Sequence, residues 1–153
     1  MISAVCVDAS LILRMLVPGP MSDWALAILD EWERRDVLLT APTLLGYEVT
    51  SSLRRLVHLG EITASEGEEA FKRFRAMGVR LSYRPGVLAL SWRLAKRFDR
   101  PPAYDTAYLA HAELRKSELW TADEKLYNAV RRDLRWVRWL GEYHAPAGEG
   151  TRH

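Results

Sequence analysis

Five short apolar runs punctuate the chain, at Ile2–Val7, Val37–Ala41, Val79–Tyr83, Leu119–Thr121 and Trp136–Leu140, each with the length of a strand. The first is almost continuously apolar, as a parallel strand covered on both faces would be. Between the runs, apolar residues recur at helical spacing. Leu11–Leu16 and Trp24–Trp32 precede the second run, with Pro18-Gly19-Pro20 separating them. Thr43–Leu59 carries Leu45, Val49, Leu53 and Leu56 in one stripe and stops at Gly60; Ala64–Met77 opens behind the capping box Thr63-x-x-Glu66 and ends at Gly78. Val87–Phe98 and Tyr104–Leu114 flank Pro101-Pro102, and a last helix spans Asp123–Val130. Strands alternating with helices or helix pairs predict an α/β fold with a mostly parallel sheet, and right-handed crossovers place helices on both its faces.

Length and composition narrow this further. The 153 residues, 48% hydrophobic and 27% charged, fit one soluble domain and exclude intrinsic disorder. We expect that domain to span residues 1–143. Residues 144–153 hold Gly, Pro and charge without an apolar anchor, and read as a disordered tail. The single cysteine, Cys6, excludes an intramolecular disulfide and suits a reducing cytosol. No apolar run is long enough to span a membrane, and no basic stretch precedes the N-terminal apolar run as in a signal peptide. A cytoplasmic protein is expected.

Net charge is only +2, but cations concentrate in two places. Arg93, Lys96, Arg97 and Arg100 face Asp99, and Arg131, Arg132, Arg135 and Arg138 face Asp133. Each cluster reads either as a solvated helix face or as a phosphate-neutralising patch. Trp136 and Trp139 alternate with Arg135 and Arg138, as an edge with one buried face or as an RNA-contacting strip, packing being favoured. Trp24, Trp32 and Trp92 fall on core-compatible positions.

Four carboxylates stand out. Asp8 follows the first strand and Asp123 the fourth, where open α/β sheets bind ligands if those strands are neighbours. Asp105 opens the helix at Tyr104, at a terminus that could face the same crevice. Glu48 lies on or beside the apolar stripe of its helix, where a carboxylate must be paired, protonated or metal-bound. Each aspartate also reads as a helix N-cap, and Glu48 as a salt-bridged or snorkelling side chain. Together they would form an all-oxygen site of high negative charge, suited to a hard divalent cation such as Mg²⁺.

The stretches VDASLIL, YEVTSSLRR, YDTAYLAHAE and WTADEKL, in this order, resemble the pattern of the PIN-domain ribonucleases over roughly residues 2–140, and within them VapC-type toxins of toxin–antitoxin pairs. The resemblance implies a three-layer PIN-like fold with five strands in the order 3-2-1-4-5. It implies catalytic, metal-binding roles for Asp8, Glu48, Asp105 and Asp123. Ser10 and Thr121 match small hydroxyl positions that support the acids or face the phosphate. It further implies Mg²⁺- or Mn²⁺-dependent hydrolysis of RNA to 5′-phosphate and 3′-hydroxyl ends, a VapB-type antitoxin whose C-terminal segment fills the cleft, and a homodimer. The segment RRDLRWVRWLGEY lies outside the motifs. Alternatives are a non-catalytic RNA- or protein-binding module, and a PIN nuclease of RNA processing rather than a toxin.

Other chemistries lack their signatures. There is no G-x-S-x-G, no H-E-x-x-H and no phosphate-binding glycine loop. His58 and His111 lie within helices, as packing or surface groups. Cys6, between Val5 and Val7, reads as an inert core residue.

Overall fold

The computed structural model describes residues 3–100 and 104–144. Ile2, Pro101-Pro102 and nearly all of the expected tail, residues 145–153, lie outside the described residues. In chain order the elements are β1 (Ala4–Val7), α1 (Ala9–Leu16), α2 (Ser22–Arg34), β2 (Leu38–Pro42), α3 (Leu44–His58), α4 (Ala64–Ala76) and β3 (Arg80–Ser82), then α5 (Val87–Arg97), α6 (Tyr104–Arg115), β4 (Glu118–Thr121), α7 (Glu124–Val130) and β5 (Val137–Trp139). A short 3₁₀ turn, Leu140–Glu142, follows β5.

All four strand pairings are parallel, in the order β3-β2-β1-β4-β5. Chain progression runs one way from β1 to β3 and the other way from β4 to β5. Right-handed crossovers therefore put α1–α4 on one face and α5–α7 on the other. Packing agrees: α1 touches α2, α3 and α4, while α6 packs on β1, β2 and β4 with α5 against it. The register Val7↔Trp120 sets the ends of β1 and β4 level, so Asp8 emerges beside Thr121.

Local chemistry sets the element ends. Asp8 caps α1 through Leu11 N–H, Asp123 caps α7 through Leu126 N–H, and the Thr63/Glu66 box closes in both directions. Helix α3 ends in a Schellman motif. Gly60 N–H bonds to Val57 C=O and Glu61 N–H to Leu56 C=O, a geometry that needs the positive φ of +72° at Gly60.

The core is continuous, with Val5, Val7, Leu11, Ile12, Leu45, Leu109 and Leu119 fully buried between the layers. Trp32 joins it, edge-on to Trp120 at 6.0 Å. Trp24 and Trp92 do not. They are 47% and 73% exposed, correcting the expectation that both are core. The buried stripe of α2 runs Ala25, Ile28, Trp32, and that of α5 runs Val87, Ser91, Leu94, so each misplaced tryptophan sits one position off its stripe. Trp139 stacks on Tyr127 at 5.9 Å, the packing role expected of it. Among the described residues no helix is long and apolar enough to cross a membrane.

Candidate active site

The site is built at the carboxyl ends of β1 and β4. Asp8 leaves β1 in extended conformation, and its carboxylate is almost wholly buried. Oδ1 accepts from Ser10 Oγ–H at 2.7 Å and from Leu11 N–H at 3.0 Å; Oδ2 accepts from Thr121 Oγ1–H at 2.5 Å. Each hydroxyl has one proton, so both are committed to Asp8. The 3.2 Å approach of Ser10 Oγ to Thr121 Oγ1 is then a contact within this cradle rather than a further bond. The hydroxyl oxygens accept in turn, Ser10 from Ala122 N–H and Thr121 from Asp123 N–H, each at 3.0 Å. One network thus ties the turn after β1 to the turn after β4.

No Lys or Arg pairs with Asp8 in this cradle. Burial pushes its carboxyl up from 3.8 to about 6, against the three donors that favour the anion, and the charge of Asp123 adds to the rise. Asp123 uses Oδ1 as the cap of α7, leaving Oδ2 without a hydrogen-bond partner among the described residues. Both aspartates are helix caps, and Asp123 keeps one oxygen uncommitted while both oxygens of Asp8 accept hydrogen bonds.

Glu48 is half-buried on α3, and the partner that sequence could not name is a tyrosine. Tyr108 Oη–H donates to Glu48 Oε1 at 2.5 Å. Burial, then this bond and the neighbouring acids including Asp8, hold the phenol in its protonated form. Asp105 sits one turn before Tyr108 on α6. Its Oδ2 accepts from Arg100 Nε at 3.1 Å and from a terminal guanidinium nitrogen at 2.6 Å. The structure thus brings Asp8, Asp123, Ser10 and Thr121 into one network, pairs Glu48 with Tyr108, whose phenol feels the charge of Asp8, and turns Asp105 onto an arginine.

The donor set fits a hard cation in chemistry. It consists of oxygens only, and a buried carboxylate beside a second one lacks a cationic partner among the described residues. Among the described residues no three acidic, imidazole or thiolate groups converge closely enough to hold a metal ion. Mg²⁺ is commonly held by one or two carboxylates completed by water, and Asp8 and Asp123 are the carboxylates at the ends of these two strands.

Known proteins place the chain in a family. The family model of the PIN domain matches residues 5–132. The chain belongs to the PIN-domain family. A VapC ribonuclease of Mycobacterium bovis and the ribonuclease VapC9 of Mycobacterium tuberculosis are each 30% identical to it over 104 residues, spanning 65% of this chain and 80% of the relative. In fold, this PIN domain is similar to a chain of a toxin-antitoxin complex from Klebsiella pneumoniae, with a TM-score of 0.63 at 14% identity over 88% of this chain and 95% of the other.

Two site residues of this PIN domain escaped sequence reasoning. Tyr108 stands three positions after Asp105, on the same helix face, which was the available signal. Arg100 lay inside a cluster read as a unit. Tyr108→Phe removes the one donor that holds Glu48 among the described residues. We expect about a tenfold loss of turnover with a stability change of only about 1 kcal/mol, read from paired kinetics and urea melts. Equal losses on a Glu48→Gln background would show that Tyr108 acts elsewhere.

Proposed function

We propose that this chain is a divalent-metal-dependent endoribonuclease, the toxin of a VapBC-type toxin–antitoxin pair. The observation that carries the reading is the meeting of Asp8 and Asp123 at the ends of neighbouring parallel strands, one of them buried without a counter-charge. Bound there, Mg²⁺ or Mn²⁺ would supply Lewis-acid polarisation of the scissile phosphate and activation of water. The protein's own part is positional. Ser10, Thr121 and the Leu11 amide fix Asp8; Asp123 offers its uncommitted oxygen. Glu48 Oε2, free of the Tyr108 bond, is placed to orient the attacking water or take its proton. Asp105 completes the acidic set once Arg100 releases it. Water oxygen bonds to phosphorus and the bond to the 3′-oxygen breaks, leaving a 5′-phosphate and a protonated 3′-hydroxyl.

Two unpartnered apolar faces support two protein contacts. A groove between α3 and α4 is lined by Leu53, Val57 and Phe71, and a second face carries Tyr83, Leu88, Trp92 and Tyr104. A VapB-type antitoxin and a second copy of the chain are the occupants we assign, in the cytoplasm. A strict monomer by light scattering would remove the homodimer. A single PIN-like domain over residues 1–143 is part of the same proposal.

The test is cleavage of a mixed RNA pool with Mg²⁺, with Mn²⁺ and with chelator, beside induced expression in a bacterial host. We expect metal-dependent cutting that chelator stops, and growth arrest by the wild type but not by Asp8→Asn at equal protein levels. Cutting without arrest would leave a nuclease of RNA processing. The Arg100–Asp105 pair favours one other reading, a non-catalytic module, for which absence of both cutting and Mn²⁺ binding would decide.

A further inference from the structure

The two cationic clusters of the sequence meet in space. Arg93, Lys96 and Arg97 recur at three- and four-residue spacing along α5 and so share one face, and Arg100 follows just beyond its end. The Arg97 guanidinium reaches Asp133 at 3.7 Å, in the turn after α7, and so brings the end of α5 to the segment that carries Arg131, Arg132 and Arg135. Three residues further on, Arg100 pairs with Asp105, which the ribonuclease reading assigns to the acidic cleft. Segments 93–100 and 131–138 carry eight cations against two acids while the whole chain is only +2, so the rest of the chain is net acidic.

Local roles do not account for this concentration. Compensation of the helix dipole explains Lys96 and Arg97 in the last turn of α5. It does not explain Arg93, Arg132 or Arg135, which lie outside such turns, are exposed, and form no ion pair among the described residues. The interleaved tryptophans are committed to packing: Trp139 stacks on Tyr127, and its indole nitrogen is buried. The second segment therefore offers charge with few free ring faces, and along α5 Trp92 is the one exposed ring beside the cations, so the strip suits a backbone more than a series of bases.

We infer that the strip formed by α5 and residues 131–135 is a track for the phosphate backbone of single-stranded RNA, leading into the acidic cleft. The inference rests on the ribonuclease reading. Its contribution is electrostatic, so it acts on affinity and not on the chemical step or on base choice. An acidic protein surface is the competing occupant.

The test compares the triple variant Arg93→Gln/Arg132→Gln/Arg135→Gln with Arg54→Gln/Arg55→Gln/Lys72→Gln, which removes the same charge from exposed positions on α3 and α4. Binding of a labelled single-stranded RNA is measured in the Asp8→Asn background across a salt titration. The first triple is expected to flatten the slope of log Kd against log salt by about 2, at about 0.7 per lost phosphate contact, and the second to leave it unchanged. In otherwise wild-type protein the first triple raises KM and spares kcat. Indistinguishable triples overturn the track while wild-type cutting preserves the ribonuclease reading; a wild type that neither binds nor cuts RNA overturns both. Loss of binding to polyglutamate with RNA affinity intact assigns the strip to a protein instead.

Discussion

Asp8→Asn is expected to lose RNA cleavage by about a thousandfold or more while raising the melting temperature of the metal-free protein. The first effect follows from losing a carboxylate whose cation supplies several kcal/mol of transition-state stabilisation. The second follows from burial. The Asp8 carboxyl titrates near 3.8 when unfolded and at about 6 in the fold, so the folded state holds the proton more tightly. Stability from this group is complete below the unfolded value and is lost as pH rises through about 4 to 6, to a total of about 3 kcal/mol. Asparagine keeps the oxygen that caps Leu11 N–H and carries no charge to desolvate. At pH 7.5 in chelator we expect it to gain about 2 kcal/mol, or about 5 °C, and the gain to vanish near pH 4. Divalent cation should reverse the ranking, since a hundredfold excess over Kd stabilises the wild type alone by about 2.7 kcal/mol. A variant less stable than wild type at pH 7.5 without metal would show that the Asp8 carboxylate is not held at a cost.

That cost could be inferred from sequence only in part. The strands and the helices were legible, because a parallel sheet writes itself as short apolar runs and amphipathic crossovers write themselves at period 3.6; the sheet order was legible only through the resemblance to the PIN-domain family. The turns after β1 and β4 were legible too, as Asp8 and Asp123 stop a strand and cap a helix in one step. What sequence could not supply was the third dimension of each acid's surroundings. Glu48 looked anomalous for want of a cation, yet its partner is a neutral phenol from a helix 60 residues away. Asp105 looked free to bind metal, yet Arg100 reaches back across the α5–α6 connection to hold it. The tryptophans failed differently. Periodicity locates a stripe to within one residue, and one residue is 100° of rotation, enough to move Trp24 and Trp92 from core to solvent.

His111→Leu is expected to make the protein markedly more resistant to acid. His111 is fully buried on α6, with Nε2 3.3 Å from Thr40 Oγ1. Thr40 spends its one proton on Val5 C=O, so Nε2 must be the donor and Nδ1 carries the lone pair. Nδ1 has no partner among the described residues, and protonating it would bury an N–H with no acceptor. Burial, with the charges of Arg115 and Arg84 behind it, pulls the imidazole down from 6.5 to about 4. The unfolded chain therefore takes up the proton first, and stability is lost as pH falls from about 6.5 towards 4. The loss reaches about 2–3 kcal/mol near pH 4.5. Asp8 acts with the opposite sign over nearly the same interval, so in the wild type the two effects largely cancel. Removing His111 should leave the Asp8 gain exposed, and removing Asp8 should leave the His111 loss exposed. Urea unfolding of wild type, His111→Leu and Asp8→Asn at pH 7 and pH 4.5 reads all three. Parallel acid losses in the three proteins would show that neither buried group sets the pH dependence.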